Sequence, residues 1–175
     1  RRDLAHQRNQ EAPHPRSQER LVFRKLLPWW PLGPILAVIL SAFPLDVLDV
    51  DAAQYAHMAQ QMLESDSYLV VRNRSIEYLD KPPLIFWLAS VSYRLFGVTE
   101  AAYRLPSLVF ALLALYATYQ LTKLFYNEEQ ASIATLILAS CESFFLMTHD
   151  CRTDTVLMGC VAVALWQWGA FLQSP

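Results

Sequence analysis

Asp46-Val-Leu-Asp-Val-Asp51-Ala-Ala-Gln-Tyr55 opens a stretch that runs to about Leu105 and contains Tyr78-Leu-Asp80-Lys81-Pro82-Pro83-Leu-Ile-Phe-Trp87. Carboxylates, aromatic rings and a lysine followed by two prolines are gathered here, with long apolar segments on either side. A polar loop held between membrane spans is a candidate site, because the spans position it while the loop carries the chemistry.

Within the stretch, apolar residues at Ala52, Tyr55, Ala56, Ala59, Met62 and Leu63 recur at helical spacing. They predict a short helix from Asp51 to Ser65 lying at the membrane surface. Tyr68-Leu-Val-Val-Arg72 and Ile76-Glu-Tyr78 predict a strand pair, and Asn73-Arg74-Ser75 matches a glycosylation acceptor tripeptide. Pro83 to Phe96 reads as an apolar helix, too short to span and therefore re-entrant or interfacial.

Outward from the loop, Leu26 to Phe43 is apolar and opens with Trp29 and Trp30, residues suited to the membrane interface. Residues 1–25 are rich in Arg and read as a basic cytoplasmic tail, which places the amino terminus inside. Pro106–Phe125, Ala131–Met147 and Thr155–Phe171 are the further expected spans. The predicted fold is an all-α membrane protein with about four transmembrane helices and a large external loop, about 46–105, carrying short interfacial helices. The loop and the His149–Asp154 turn fall on the outer side. A chain that begins with Arg and stops just past an apolar segment is expected to be a piece of a longer protein.

Composition agrees. Hydrophobic residues make up 54% and charged residues 17%, shifted from soluble averages toward a lipid-embedded chain. A formal net charge of -2 offers no basic face and argues against nucleic acid as a partner. Three cysteines at 141, 151 and 160 follow neither a C-x-x-C nor a zinc spacing, so no disulfide framework and no cysteine metal site is expected. Gly-rich phosphate loops, the nucleophile elbow and H-E-x-x-H are absent, which disfavours a nucleotide-hydrolysing pump within this stretch.

Each polar residue has two readings. Asp51 with Gln54 three residues on is a capping box, or Asp51 is a general base. Lys81, held extended by the prolines beside a helix start, is a phosphate ligand or a lysine snorkelling to the membrane surface. His149, Asp150, Arg152 and Asp154 are a metal or polar site, or a solvated turn in which Asp154 caps a helix. Glu142, placed within a span, is expected to face the interior with His149 or Arg152 as partner.

The order Asp51-x-x-x-Tyr55-Ala-x-Met58-Ala, Tyr78-Leu-Asp-Lys-Pro-Pro-Leu-Ile-Phe-Trp-Leu, Leu95-Phe-Gly97 and Arg104-Leu-Pro-Ser107 resembles the GT-C superfamily of membrane glycosyltransferases. Within it, the branch of bacterial protein mannosyltransferases and the lipid A aminoarabinose transferase is the most similar. The match runs from about Asp46 to Asp154. The resemblance implies transfer of a sugar from a polyprenyl-phosphate donor to a lipid, glycan or protein acceptor. The setting it implies is the outer, periplasmic face of a multi-pass protein of the cell inner membrane. Asp51 matches the catalytic Asp, and Lys81 the lysine that contacts the donor phosphate. Asp80 matches an acidic position that binds a divalent metal in some members. Asp154 matches an acidic position of the second external loop, and Tyr55 the motif tyrosine. Residues 26–175 then correspond to the amino-terminal part of the transmembrane catalytic domain. Ala52 stands where many members carry Glu, and Gln54 where the aminoarabinose branch often has Arg; both departures bear on donor and acceptor rather than on reaction class. The rival readings are a transporter or channel subunit, with Glu142 on an ion path, and a non-catalytic membrane assembly subunit.

Overall fold

Seven helices and one short hairpin follow from these patterns in a computed structural model that describes residues 32–41, 50–73 and 76–174. Helix α1 is Leu32–Ser41 and α2 is Val50–Ser65. The hairpin strands β1, Arg72–Asn73, and β2, Ile76–Glu77, pair antiparallel with Arg72 opposite Glu77. Then come α3 (Leu84–Phe96), α4 (Glu100–Phe125), α5 (Glu128–Ala139), α6 (Glu142–His149) and α7 (Thr153–Gln173). The basic tail expected over residues 1–25 and the parts of the first expected span that flank α1 lie outside the described residues, as do Arg74 and Ser75 of the acceptor tripeptide.

Two single helices, α4 and α7, are long and apolar enough to cross a membrane. At about 1.5 Å per residue they reach roughly 39 and 32 Å, sufficient for a hydrocarbon core of about 30 Å. They run parallel. Gly159 near the start of α7 lies against Phe110, Gly169 lies against Leu121 and Phe125, and the Gln173 side chain donates to the Leu124 carbonyl at 3.1 Å. A Cβ added to Gly159 would sit 2.7 Å from the Phe110 carbonyl oxygen, so glycine is what lets the two backbones approach this closely. Parallel neighbours need a returning segment between them, and α5 with α6 supplies it.

That return is not the straight span expected over Ala131–Met147. It begins at Glu128, where the Asn127 side chain accepts from the Gln130 amide at 3.0 Å, and it bends by 60° between α5 and α6. The Ser140 hydroxyl donates to the Ile137 carbonyl at 3.0 Å and helps close α5. Glu142 therefore lies exposed in the first turn of α6, where a negative charge complements the helix dipole, and not inside an unbroken span.

The fourth helix also departs from expectation. It starts at Glu100, capped by Thr99, whose hydroxyl accepts from the Ala102 amide at 3.2 Å, and it runs straight through Pro106. A proline in a helix leaves the carbonyl four residues earlier without its amide donor. Here that carbonyl belongs to Ala102, and the buried Ser92 hydroxyl of α3 donates to it at 2.5 Å. One side chain from the neighbouring helix makes the proline tolerable.

Two apolar clusters result. One joins α1, α4, α5 and α6 through Ile39, Ala111, Ala114, Leu115, Ala139 and Phe144. The other lies beneath the polar loop, where Ala52, Tyr55, Met58 and Met62 of α2 meet Ile85, Phe86 and Tyr93 of α3, Tyr103 of α4, and Cys151 and Val156 at the head of α7.

Candidate functional site

The loop is built on that second cluster. Helix α2 forms as its apolar spacing predicts, with Ala52, Tyr55, Met58, Ala59 and Met62 buried. Asp51 lies exposed in its first turn, one residue inside the start at Val50. It therefore adds favourable charge at the helix amino terminus and is not the N-cap that a capping box requires.

Tyr55 follows one turn later and points inward. Its ring packs edge-on against Phe86 at 5.6 Å and against Tyr78 at 6.3 Å, while Tyr78 and Phe86 stand 6.0 Å apart at 90°. The hairpin is shorter than expected, but the Tyr78 amide extends its ladder by donating to the Val71 carbonyl at 2.9 Å. The Trp87 indole donates to the Tyr68 carbonyl at 2.6 Å and ties the loop to α3. Burial, the neighbouring Tyr55 phenol, and the charges of Asp80 and Asp51 hold the Tyr78 phenol well above the usual tyrosine range. Both carboxylates thus lie within electrostatic reach of one phenol.

Asp80 and Lys81 follow directly. Both are exposed, and both line a groove with Leu69, Val70, Leu79 and Pro83. Pro83 is the N-cap of α3, and no side chain caps that helix start. Among the described residues Lys81 forms no ion pair, so its ammonium is available to an anion at the groove.

The second turn reaches the same end of the molecule. Cys151 is buried at φ 51, a left-handed conformation unusual for a side chain with a Cβ. Its thiol donates to the Tyr103 carbonyl at 3.0 Å, and the Tyr103 hydroxyl donates to the Cys151 carbonyl at 3.5 Å. This exchange fastens the turn to the start of α4. Burial pushes the Cys151 thiol up to about 11. Asp154 is exposed in the first turn of α7.

The expected His149–Asp154 cluster separates. Both His149 ring nitrogens face backbone carbonyls, Nδ1 that of Phe145 at 2.8 Å and Nε2 that of Ile39 at 2.9 Å. The ring is thereby turned toward the backbone in the helix packing around α1 rather than toward Glu142. Arg152 pairs with Asp150 at 3.2 Å. No group of three His, Cys, Asp or Glu placed to hold a metal occurs among the described residues, so Asp80 has no partner ligands here and these residues do not by themselves fit a divalent cation. Cys141, at the break before α6, and Cys160, on α7, are exposed, and all three cysteines are free thiols.

Sequence reasoning passed over Tyr78, Phe86 and the Tyr103–Cys151 exchange. Tyr78 stood inside the quoted motif, but its contact with Tyr55 depends on folding and leaves no trace in spacing.

Fold and site together define a multi-span helical membrane protein with its polar chemistry gathered at one end of the helices. The family model described as dolichyl-phosphate-mannose-protein mannosyltransferase matches residues 80–175, more than half of the chain, and the chain belongs to that family. The undecaprenyl phosphate-alpha-4-amino-4-deoxy-L-arabinose arabinosyl transferase of Shewanella sediminis is 29% identical over 141 residues, covering 79% of this chain and 25% of that protein. A second such transferase, from Proteus mirabilis, is 30% identical over 107 residues, 59% of this chain and 19% of that protein. ArnT from Cupriavidus metallidurans, in a crystal structure bound to undecaprenyl phosphate, superposes with a TM-score of 0.73 at 22% identity, over 84% of this chain and 28% of that one. This last likeness establishes the fold. The chain spans a quarter or less of the length of these curated relatives.

Proposed function

We propose that this chain is the amino-terminal part of an inverting membrane glycosyltransferase that moves a sugar from a polyprenyl-phosphate donor to a hydroxyl or amine of a lipid, glycan or protein. The observation that carries the reading is the packing of the Asp51 helix and the Asp80-Lys81 segment onto one aromatic triad, in a chain of the mannosyltransferase family. Asp51 removes the proton from the acceptor as it attacks the anomeric carbon, and Lys81 steadies the phosphate that leaves. A lipid phosphate departs as an anion and needs no general acid. Asp80 and Asp154 complete the polar rim, and Tyr55 supports it from below. The setting is the periplasmic face of the inner membrane, with the amino terminus in the cytoplasm. The relatives' names and the undecaprenyl phosphate bound to ArnT favour this donor class. An ion path through Glu142 finds no support, because that residue sits exposed at a helix start.

The test is Asp51→Asn in the full-length enzyme. An amide keeps much of the shape and polarity of the side chain but has no useful proton affinity near neutral pH. Transfer of labelled sugar from lipid phosphate should fall by at least about 10²-fold. Melting temperature and donor binding should hold. Near wild-type transfer would remove Asp51 from the role of base.

A further inference from the structure

Resting on the reading of Lys81 as the donor-phosphate ligand, we propose that Trp87 is a positioning residue whose indole latches the strip 67–70 and so sets the width of the groove beside Lys81. The groove has two walls. One is Leu69, Val70 and Val71, and the other is residues 77–83. Two hydrogen bonds tie the walls together at their ends. At one end the Tyr78 amide donates to the Val71 carbonyl at 2.9 Å. At the other the Trp87 indole donates to the Tyr68 carbonyl at 2.6 Å. Trp87 stands one turn beyond Pro83, and its amide donates to the Pro83 carbonyl at 3.1 Å. Lys81 lies on the longer arm, between the two ties.

The shorter wall has little else to hold it. It follows Asp66, which turns the chain out of α2 at φ 50, and it ends at the buried Val71. Between these, Leu69 is 92% exposed and Val70 36%. Among the described residues, the Trp87 indole is the one hydrogen-bond partner of the backbone of residues 68–70. The Tyr68 ring leans on the apolar cluster beneath the loop, which holds the side chain but does not orient the peptide that follows. Behind the wall there is space. A second cavity of about 370 Å³, lined by Gln61, Glu64, Ser65, Ser67 and Arg72, opens on the α2 side, and Val70 lines both it and the groove. The strip is thus a partition with room on either side, and packing does not choose its position. The indole bond does. A groove already held at its working width spares the donor the cost of ordering a wall as it binds.

Trp87→benzothienylalanine in the full-length enzyme, reconstituted in nanodiscs, tests this. Sulfur replaces the indole N–H and the shape of the side chain stays. Binding of undecaprenyl phosphate should weaken by about two- to tenfold, the range of one net hydrogen bond. The kcat for transfer of labelled sugar should stay within about twofold, because Asp51 and α2 are untouched. Trp87→Phe should behave alike. Spin labels replacing Leu69 and Leu79, on opposite walls, should report a broader distance distribution once the N–H is gone, narrowing again when undecaprenyl phosphate binds. A tie that only stabilises the fold would lower the melting temperature and leave lipid binding and the distribution as they are. Unchanged binding or an unchanged distribution would each overturn the latch. Lys81→Ala on the same preparations separates the two readings. If it weakens undecaprenyl phosphate binding and benzothienylalanine does not, the latch alone falls. If it leaves binding intact, the reading of Lys81 falls and takes the latch's role in donor binding with it.

Discussion

Lys81 owes its usefulness to what surrounds it. It is exposed at a groove, forms no ion pair among the described residues, and precedes a helix start that no side chain caps. A lysine that merely snorkels needs none of this. Lys81→Ala in the full-length enzyme should weaken donor binding and slow transfer. Lys81→Arg should restore only part of the activity, since a planar fork and a compact ammonium present their donors differently. Normal donor binding by Lys81→Ala would return the residue to the snorkelling reading. The motif around Lys81 was plain in the sequence, because prolines and charge speak locally. The fate of His149 was not. Its two carbonyl partners come from Phe145, one turn back, and from Ile39 on α1, and a contact of the latter kind becomes visible only when the helices pack.

Helices whose apolar spacing agreed with their surroundings were legible, and α2, α3 and α7 lie close to where periodicity put them. Misreadings fell where one helix lends another a hydrogen bond or where a polar residue ends a helix inside an apolar run. Pro106 is the clearest case. Proline argued for a boundary, and Ser92, on the preceding helix, cancels the penalty by donating to Ala102. Ser92→Ala should therefore leave a buried carbonyl unsatisfied and cost about 1–3 kcal/mol. The melting temperature in detergent measures it. The same substitution in a Pro106→Ala background should cost much less, because residue 106 then supplies the amide itself. Equal losses in both backgrounds would show that Ser92 matters for some other reason. The break at Ser140–Cys141 was hidden for a related reason: Glu142 and Ser143 follow it inside a run that is otherwise apolar, and hydropathy averages over a bend.

Across the whole molecule, the parallel pairing of α4 and α7 sets which ends share a side. The loop from 50 to 99 and the turn at 150–152 meet at the Tyr103–Cys151 exchange, while Asn127 lies at the opposite end of α4. Single cysteines at 77 and 150, in a background without the native cysteines, should react with an impermeant reagent applied to intact cells. A cysteine at 127 should not. The reverse pattern would invert the orientation. The buried Cys151 thiol gives a second global readout. Its proton is held more tightly folded, at about 11, than at the ordinary value of 9.0. The unfolded chain therefore loses this proton first as pH rises, and folding stability drops between those two values. Below pH 9 the contribution is complete. Melting temperature between pH 9 and 11 should fall more steeply in the native chain than in Cys151→Ala, and parallel profiles would refute the assignment.

The exchange between Tyr103 and Cys151 also orders events in time. A ribosome delivers this chain to the membrane from its amino terminus, so α2, the hairpin and α3 emerge before α7 exists. The cluster beneath them is closed by Cys151 and Val156, which arrive last. Until then the underside of Tyr55 and Phe86 lacks the residues that will cover it. The cluster on which the polar loop rests is therefore complete only once the head of α7 has been added. The last residues to join this cluster thus belong to the turn and helix that follow the returning pair.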